Sequence, residues 1–365
     1  MEYTVRSLGS FSEMKYGKMP NKKMSSDKGK YPIFSGYRVV GYCDECNIGE
    51  QQLVVVARGV GGTGDVKLSP GACFLTNLSI AVSVDESVAL KKYLYYYFLK
   101  NNLRYLDSGS AQSQITIGDL KNVEVPLPSI ETQKKVVSIL DAIDEKINNN
   151  IAINDNLQQQ AAALFSSLYD RSNTEVRFTD LIQILGGGTP KTGENTYWNG
   201  NIAFFTPKDV GTPYTLITEK TISKEGLSHC NSRLYPVNTV FVTARGTVGK
   251  VGMSGVPMAM NQSCYALVGK ETHQLLVYFY TLKAVDRLKH KASGAVFDAI
   301  TTRDFESEQI MKLSDDDATA FLRVAEPMFQ EVLNNNIENL RLSTLRDSLL
   351  PKLMSGEIDV SAVQL

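Results

Sequence analysis

Two arginines stand in the same local setting. Arg58 follows the apolar run Val54-Val55-Val56-Ala57 and precedes Gly59, and Arg245 follows Val240-Phe241-Val242-Thr243-Ala244 and precedes Gly246. A guanidinium at the end of a strand offers a planar fork of donors that suits a carboxylate, a phosphate or the O6/N7 edge of guanine. Lys22, Lys23 and Lys30 lie in a polar, Gly/Pro/Ser-containing stretch able to grip phosphates. Tyr37 and Arg38 follow an apolar run and a glycine. Thr189, Lys191, Lys208 and Asp209 carry side chains that can bond base edges. Each group has a plainer reading: lysines of a solvated loop, a packed tyrosine, arginines paired with carboxylates inside the fold. No nucleophile–base pairing can be assembled, since the three histidines (His229, His273, His290) are scattered and there is no Gly-x-x-x-x-Gly-Lys-Ser/Thr phosphate loop. Cys43-x-x-Cys46 lacks a second ligand pair nearby, so no metal site is expected. The chemistry on offer is recognition.

The settings of these residues recur because the chain repeats itself. Ser108-Gly109 and Ile115-Thr116-Ile117-Gly118-Asp119 return as Ser293-Gly294 and Ile300-Thr301-Thr302-Arg303-Asp304, and Ile147-Asn148-Asn149-Asn150-Ile151 returns as Leu333-Asn334-Asn335-Asn336-Ile337. With the Arg-Gly elements, the offsets run from 185 to 187 positions. Two copies are too few for a solenoid. A tandem duplication predicts an internal pseudo-two-fold repeat within one polypeptide, the device by which DNA-reading proteins meet two half-sites.

Two kinds of element must position the candidates. Tyr31 to Phe34, Leu53 to Val56, Cys73 to Leu75 and Ile80 to Val84 read as short strands between Gly- and Asn-rich turns, with a buried helix over Leu90 to Leu99. The second half offers Ile202 to Phe205, Val240 to Val242, Cys264 to Val268 and a helix over Leu275 to Leu282. From Glu131 to about Tyr169, Leu140, Ile143, Ile147, Leu157, Ala161, Leu164 and Leu168 fall on a coiled-coil spacing, with Asn150 and Asn154 inside the seam and Ser129 as N-cap. A second such helix runs from Asp315 to Met354, with Pro327 expected to bend or delay its start and Pro351 to disturb its last turn. The resulting fold class is α/β (α+β). Globular domains at 1–130 and 172–314 are joined by helices at 131–171 and 315–365 that pair most simply as an antiparallel coiled coil.

Composition is consistent with this division. The 365 residues allow two or more domains, and 43% hydrophobic with 21% charged residues is ordinary for a folded soluble protein. Neither a signal peptide nor an apolar run of membrane-spanning length is visible. Five cysteines, an odd number, suit a reducing, cytoplasmic setting. Net charge is −1, yet residues 1–130 and 172–314 each balance at +3 and the helical remainder at −7. Two mildly basic domains on acidic helices could meet phosphate, though +3 fits many other domains.

Longer stretches carry a family resemblance. Gly187-Gly188-Thr189-Pro190-Lys191-Thr192, followed by Tyr197-Trp198-Asn199-Gly200-Asn201-Ile202, resembles the opening of a target-recognition domain in specificity subunits of type I restriction–modification systems. Tyr31 to Tyr37, running on to Val40-Gly41-Tyr42, is similar to another early element. Ser108 to Ile115, then Val125-Pro126-Leu127-Pro128, Gln133 and Ile139-Leu140-Asp141, resembles the passage into the central helix. Leu345-Arg346-Asp347-Ser348-Leu349-Leu350-Pro351-Lys352-Leu353 resembles the family's terminal helix. Thr132 replaces the usual Glu, and the second half lacks the Pro-x-Pro and Gln at Leu313 to Ala318. The resemblance implies a non-catalytic subunit in which each domain reads half of a split sequence in double-stranded DNA. It implies helices that hold methyltransferase subunits and, where present, restriction subunits. No Asn-Pro-Pro-Tyr run for adenine methylation occurs, so S-adenosylmethionine is expected on the partner and no cofactor on this chain. A dimeric-type DNA-binding regulator and a coiled-coil interaction scaffold are the alternatives.

Overall fold

The computed structural model describes residues 2–21, 29–59, 62–107, 114–211, 213–291 and 299–363. By contacts the chain divides into two units: Met1–Lys146 with Leu342–Leu365, and Ile147–Arg341. The long helices are therefore shared between the units rather than forming a body of their own.

Unit 1 opens with β1 (Thr4–Ser7) and β2 (Ser12–Tyr16), continues through β3 (Tyr31–Phe34), β4 (Val39–Cys43), β5 (Leu53–Val56), β6 (Val66–Leu68), β7 (Phe74–Leu75) and β8 (Ser79–Val84), then α1 (Lys91–Lys100), α2 (Ile117–Lys121) and β9 (Glu124–Leu127). Its sheets have the orders β2-β8-β5-β6 and β4-β3-β7, and β1 pairs antiparallel with β9. The β-branched run of β5 is central and buried on both faces, which is why it reads as continuously apolar rather than alternating. Leu53, Val55, Ile80, Tyr93, Tyr96 and Phe98 form the core with Val136 and Leu140.

Unit 2 repeats this plan with β10 (Thr174–Arg177), α4 (Phe178–Leu181), β11 (Ile182–Gly186), β12 (Trp198–Phe205), β13 (Tyr214–Thr215), β14 (Lys220–Ile222), α5 (Lys224–Ser228), β15 (Val240–Thr243), β16 (Val251–Ser254), β17 (Met258–Met260), β18 (Cys264–Gly269), α6 (Gln274–Lys291), α7 (Thr302–Ser307) and β19 (Gln309–Lys312). The sheet orders are β11-β18-β15-β16-β13 and β14-β12-β17, with β10 antiparallel to β19. Helix α6 extends nine residues beyond the expected Leu282, because Ala284, Val285 and Leu288 continue its buried face. Phe165 packs on Phe279 at 4.9 Å between centroids and edge-on to Phe321 at 5.5 Å, an aromatic core that orders this unit.

The repeated Thr-x-x-Asp sequence is a helix start. Thr116 Oγ1 accepts from Asp119 N while Asp119 accepts from Thr116 N at 2.9 Å, and Thr301 with Asp304 does the same at 2.7 Å. The Thr116 hydroxyl and amide hold the Asp119 carboxyl below its usual range.

Helices α3 (Ile130–Asp170) and α8 (Asp315–Ser355) have 41 residues each, roughly 60 Å at 1.5 Å per residue. They run antiparallel within each unit. In unit 1 Arg346 donates to Asp144 at 2.8 Å and Lys135 to the Ser361 carbonyl at 2.6 Å. In unit 2 Asn154 bonds Asn335 at 2.9 Å and Asn336 at 3.0 Å, Asn150 donates to Glu338 and Asn339, and Arg171 pairs with Asp317 at 2.6 Å. The Asn-rich repeats thus supply a buried polar layer to the seam. Pro327 does not delay the start of α8, which begins at Asp315. The proline is exposed, so the Arg323 carbonyl it leaves without a donor lies on the solvent side, while Phe321, Ala325 and Phe329 keep their buried face. Pro351 is likewise accommodated, and the helix runs on to Ser355.

Candidate nucleic-acid interface

Four loop segments meet at one end of each unit. In unit 1 these are 17–20 after β2, 35–38 after β3, 57–59 after β5 and 76–78 before β8. Lys18 N donates to the Leu75 carbonyl at 2.9 Å, Asn77 N to Lys18 at 3.0 Å, Thr76 N to Phe34 at 3.0 Å and Ala57 N to Leu78 at 2.8 Å. The Tyr37 hydroxyl reaches the Arg58 carbonyl at 3.3 Å, and burial, with Asp65 nearby, raises its pKa.

Unit 2 builds the same junction from 187–190, 206–209, 244–247 and 261–263. Gly188 N donates to Met260 at 3.1 Å, Asn261 N to Phe205 at 3.0 Å, Ala244 N to Ser263 at 2.8 Å, and the Thr247 hydroxyl to Pro207 at 3.1 Å. A Cβ on Gly17 would lie 2.1 Å from the Thr76 carbonyl oxygen, and one on Gly187 would lie 2.2 Å from that of Asn261. Only glycine permits either approach. The glycines of the Arg-Gly pairs, Gly59 and Gly246, have φ of +139° and +81°, so the turn that exposes each arginine needs them.

Arg58 and Arg245 are both exposed, and neither forms an ion pair among the described residues. Among the described residues, then, neither arginine is held by the intramolecular carboxylate of the plainer reading. In unit 2, Arg245, Lys208, Lys220, Asn261 and Ser263 line a cavity of about 500 Å³. Lys208 lies 3.8 Å from Glu219, a solvent-exposed pair of little energetic weight. Asp209 is committed to the loop itself: its carboxylate accepts from Thr206 N at 2.8 Å, the Thr206 hydroxyl at 2.6 Å and Glu219 N at 2.8 Å.

Tyr37, Arg38 and Arg58 thus come together in unit 1, and Thr189, Lys208 and Arg245 in unit 2. Lys191 is exposed in the loop of Thr189, its carbonyl taken by the Trp198 indole at 3.1 Å. Lys30 is exposed but stands at the opposite end of β3, where its ammonium lies over the Tyr31 ring at 5.1 Å. Lys22 and Lys23 lie outside the described residues. Sequence reasoning missed Met19, Asn77, Lys220, Asn261 and Gln262. The Gly17-x-x-Pro20 and Gly187-x-x-Pro190 loops correspond at an offset of 170, which hides them from a search at 185. Burial pushes the Cys73 thiol up to about 11 and that of Cys264 to about 12, which makes these two poor metal ligands, and no metal-binding cluster occurs among the described residues.

Residues 1–159 and 171–312 match the model of the type I restriction modification DNA specificity domain, one match for each half of the repeat. The chain belongs to this family. It is 23% identical to the HindI specificity subunit of Haemophilus influenzae, over 76% of this chain and 80% of that one. It is 22% identical to the MjaIX specificity subunit of Methanocaldococcus jannaschii, over 78% and 73%. The fold is similar to the crystal structure of the type I S subunit from M. genitalium, with a TM-score of 0.66 at 18% identity, covering 97% and 96% of the two chains. A DNA specificity subunit is thus the family's role for a chain built this way, and the regulator and scaffold alternatives are not favoured.

Proposed function

We propose that the chain reads a split duplex target, one half through the loop junction of each unit, and presents it to separate methyltransferase subunits. The observation that carries this reading is the junction itself, built twice on the same glycines and hydrogen bonds but furnished with different side chains. Phosphate contacts by exposed lysines and arginines position the duplex, and the loop side chains select bases. The helices α3 and α8 set the distance between half-sites and hold the partner subunits. Ile151 and Ile153, about half exposed on α3, are apolar positions suited to such a partner. Catalysis and S-adenosylmethionine belong to the partner, and restriction subunits join where the system has them. The complex acts on DNA in the cytoplasm; no helix among the described residues is long and apolar enough to cross a membrane.

The test is selection from a random duplex pool by the purified chain, with and without a methyltransferase subunit, followed by methyl-transfer assays. A bipartite sequence should be selected, and transfer should require the added subunit. Methylation or cleavage by the chain alone would overturn the assignment.

A further inference from the structure

The glycine contacts place both loop systems in one register. In that register Met19 corresponds to Thr189, Tyr37 to Lys208 and Leu78 to Ser263. Unit 1 carries apolar or aromatic side chains at all three places, and unit 2 carries polar ones. Met19 is 76% exposed and Leu78 36%, so neither is spent on the core. Thr189 is exposed and its hydroxyl is paired with the exposed Gln262 side chain, leaving the Gln262 amide nitrogen free to donate outward. Single exposed apolar residues are unremarkable on a protein surface. A switch from apolar to polar at three equivalent positions around one junction is a difference in what the two surfaces can bind.

Apolar side chains at a base edge recognise the C5-methyl group of thymine, whereas hydroxyl and amide groups read donors and acceptors. We infer that unit 1 selects its half-site through thymine methyl groups packed on Met19 and Leu78. Unit 2 selects its half-site through hydrogen bonds donated by the Gln262 amide and accepted by the Thr189 hydroxyl oxygen. The inference rests on the DNA-reading function proposed above and names the chemistry by which each half is read.

Uracil in place of thymine removes the methyl group and leaves the hydrogen-bonding edges unchanged. The full chain with its methyltransferase subunit is first used to select its target, and each thymine is then replaced by uracil. Binding should weaken about fourfold per contacted thymine, the fold-change of one buried methyl group, in one half-site only. In the Met19→Thr/Leu78→Ser variant the same replacement should cost nothing. Met19→Ala alone serves as a second variant if the double substitution lowers the unfolding temperature, with indifference expected at one thymine. A target with no thymine in either half, equal uracil losses in both halves, or an unchanged uracil penalty in both variants overturns the inference while leaving DNA reading intact. A parent complex that selects no sequence overturns both.

Discussion

Gln133 is fully buried near the start of α3 and ties that helix to unit 1. Its Oε1 accepts from Leu90 N at 2.9 Å, and its Nε2 donates to the carbonyls of Val88 at 3.2 Å and Pro128 at 3.0 Å. Gln133→Ala removes all three bonds and leaves one donor and two acceptors without their partner in a site closed to water. At about 1 kcal/mol net for each bond, and more for a group left unsatisfied, the loss should be about 3 kcal/mol, on the order of a hundredfold in the folding equilibrium. The volume left by the side chain adds to this. Gln133→Glu keeps the shape and the acceptor for Leu90, but at neutral pH it sets a carboxylate oxygen against two carbonyls, so the loss should be at least as large. Thr132→Ala is the control. It removes one bond, to the Ser129 hydroxyl at 3.0 Å, and should cost about 1 kcal/mol or less. Urea unfolding followed by far-ultraviolet circular dichroism measures the total. Amide exchange at Leu90, whose N–H loses its acceptor, reports at the site itself. If Gln133→Ala proves no more costly than Thr132→Ala, and Leu90 exchanges as in the parent, the side chain does not anchor the helix.

Arg58→Ala and Arg245→Ala should each cost about 1–3 kcal/mol in binding the selected duplex and relax base preference in one half-site only. Both side chains are exposed, so unfolding midpoints should stay within the error of measurement; normal binding by both variants would remove arginine from the reading. Exchange of residues 172–314 for the corresponding segment of another specificity subunit should change one half-site and preserve the other, as read by mapping methylated adenines. Simultaneous change of both halves would show that the units do not read independently. Seven residues inserted after Asn154 and seven after Asn334 lengthen both helices by roughly 10 Å while keeping the seam and the Asn154–Asn335 pair in phase. The gap between half-sites should widen by about three base pairs at 3.4 Å each, and an unchanged gap would show that something other than these helices sets the spacing.

The sequence by itself determined the elements whose signals are local. The run Leu53–Val56 is a strand because four β-branched or apolar residues between turn residues satisfy both faces of a central strand. Helix α3 was legible because its seam from Leu140 to Leu168 keeps one period, and the duplication was legible because its copies keep one offset. The Arg-Gly elements were visible for the same reason, with the need for a positive φ at the glycine written into the residue type. Only the tertiary structure decided the rest. Pro327 lies inside α8 because Phe321, Ala325, Phe329 and Val332 bury one face on either side of it, outweighing a local helix-breaking preference. Lys30 and Arg38 are eight positions apart yet stand at opposite ends of β3, a separation that spacing along the chain does not reveal. The junction depends on bonds such as Asn77 N to Lys18 and Asn261 N to Phe205, between residues more than fifty positions apart. Met19 and Gln262 therefore carry no local mark of their place, because a loop acquires its partners only when distant strands close around it.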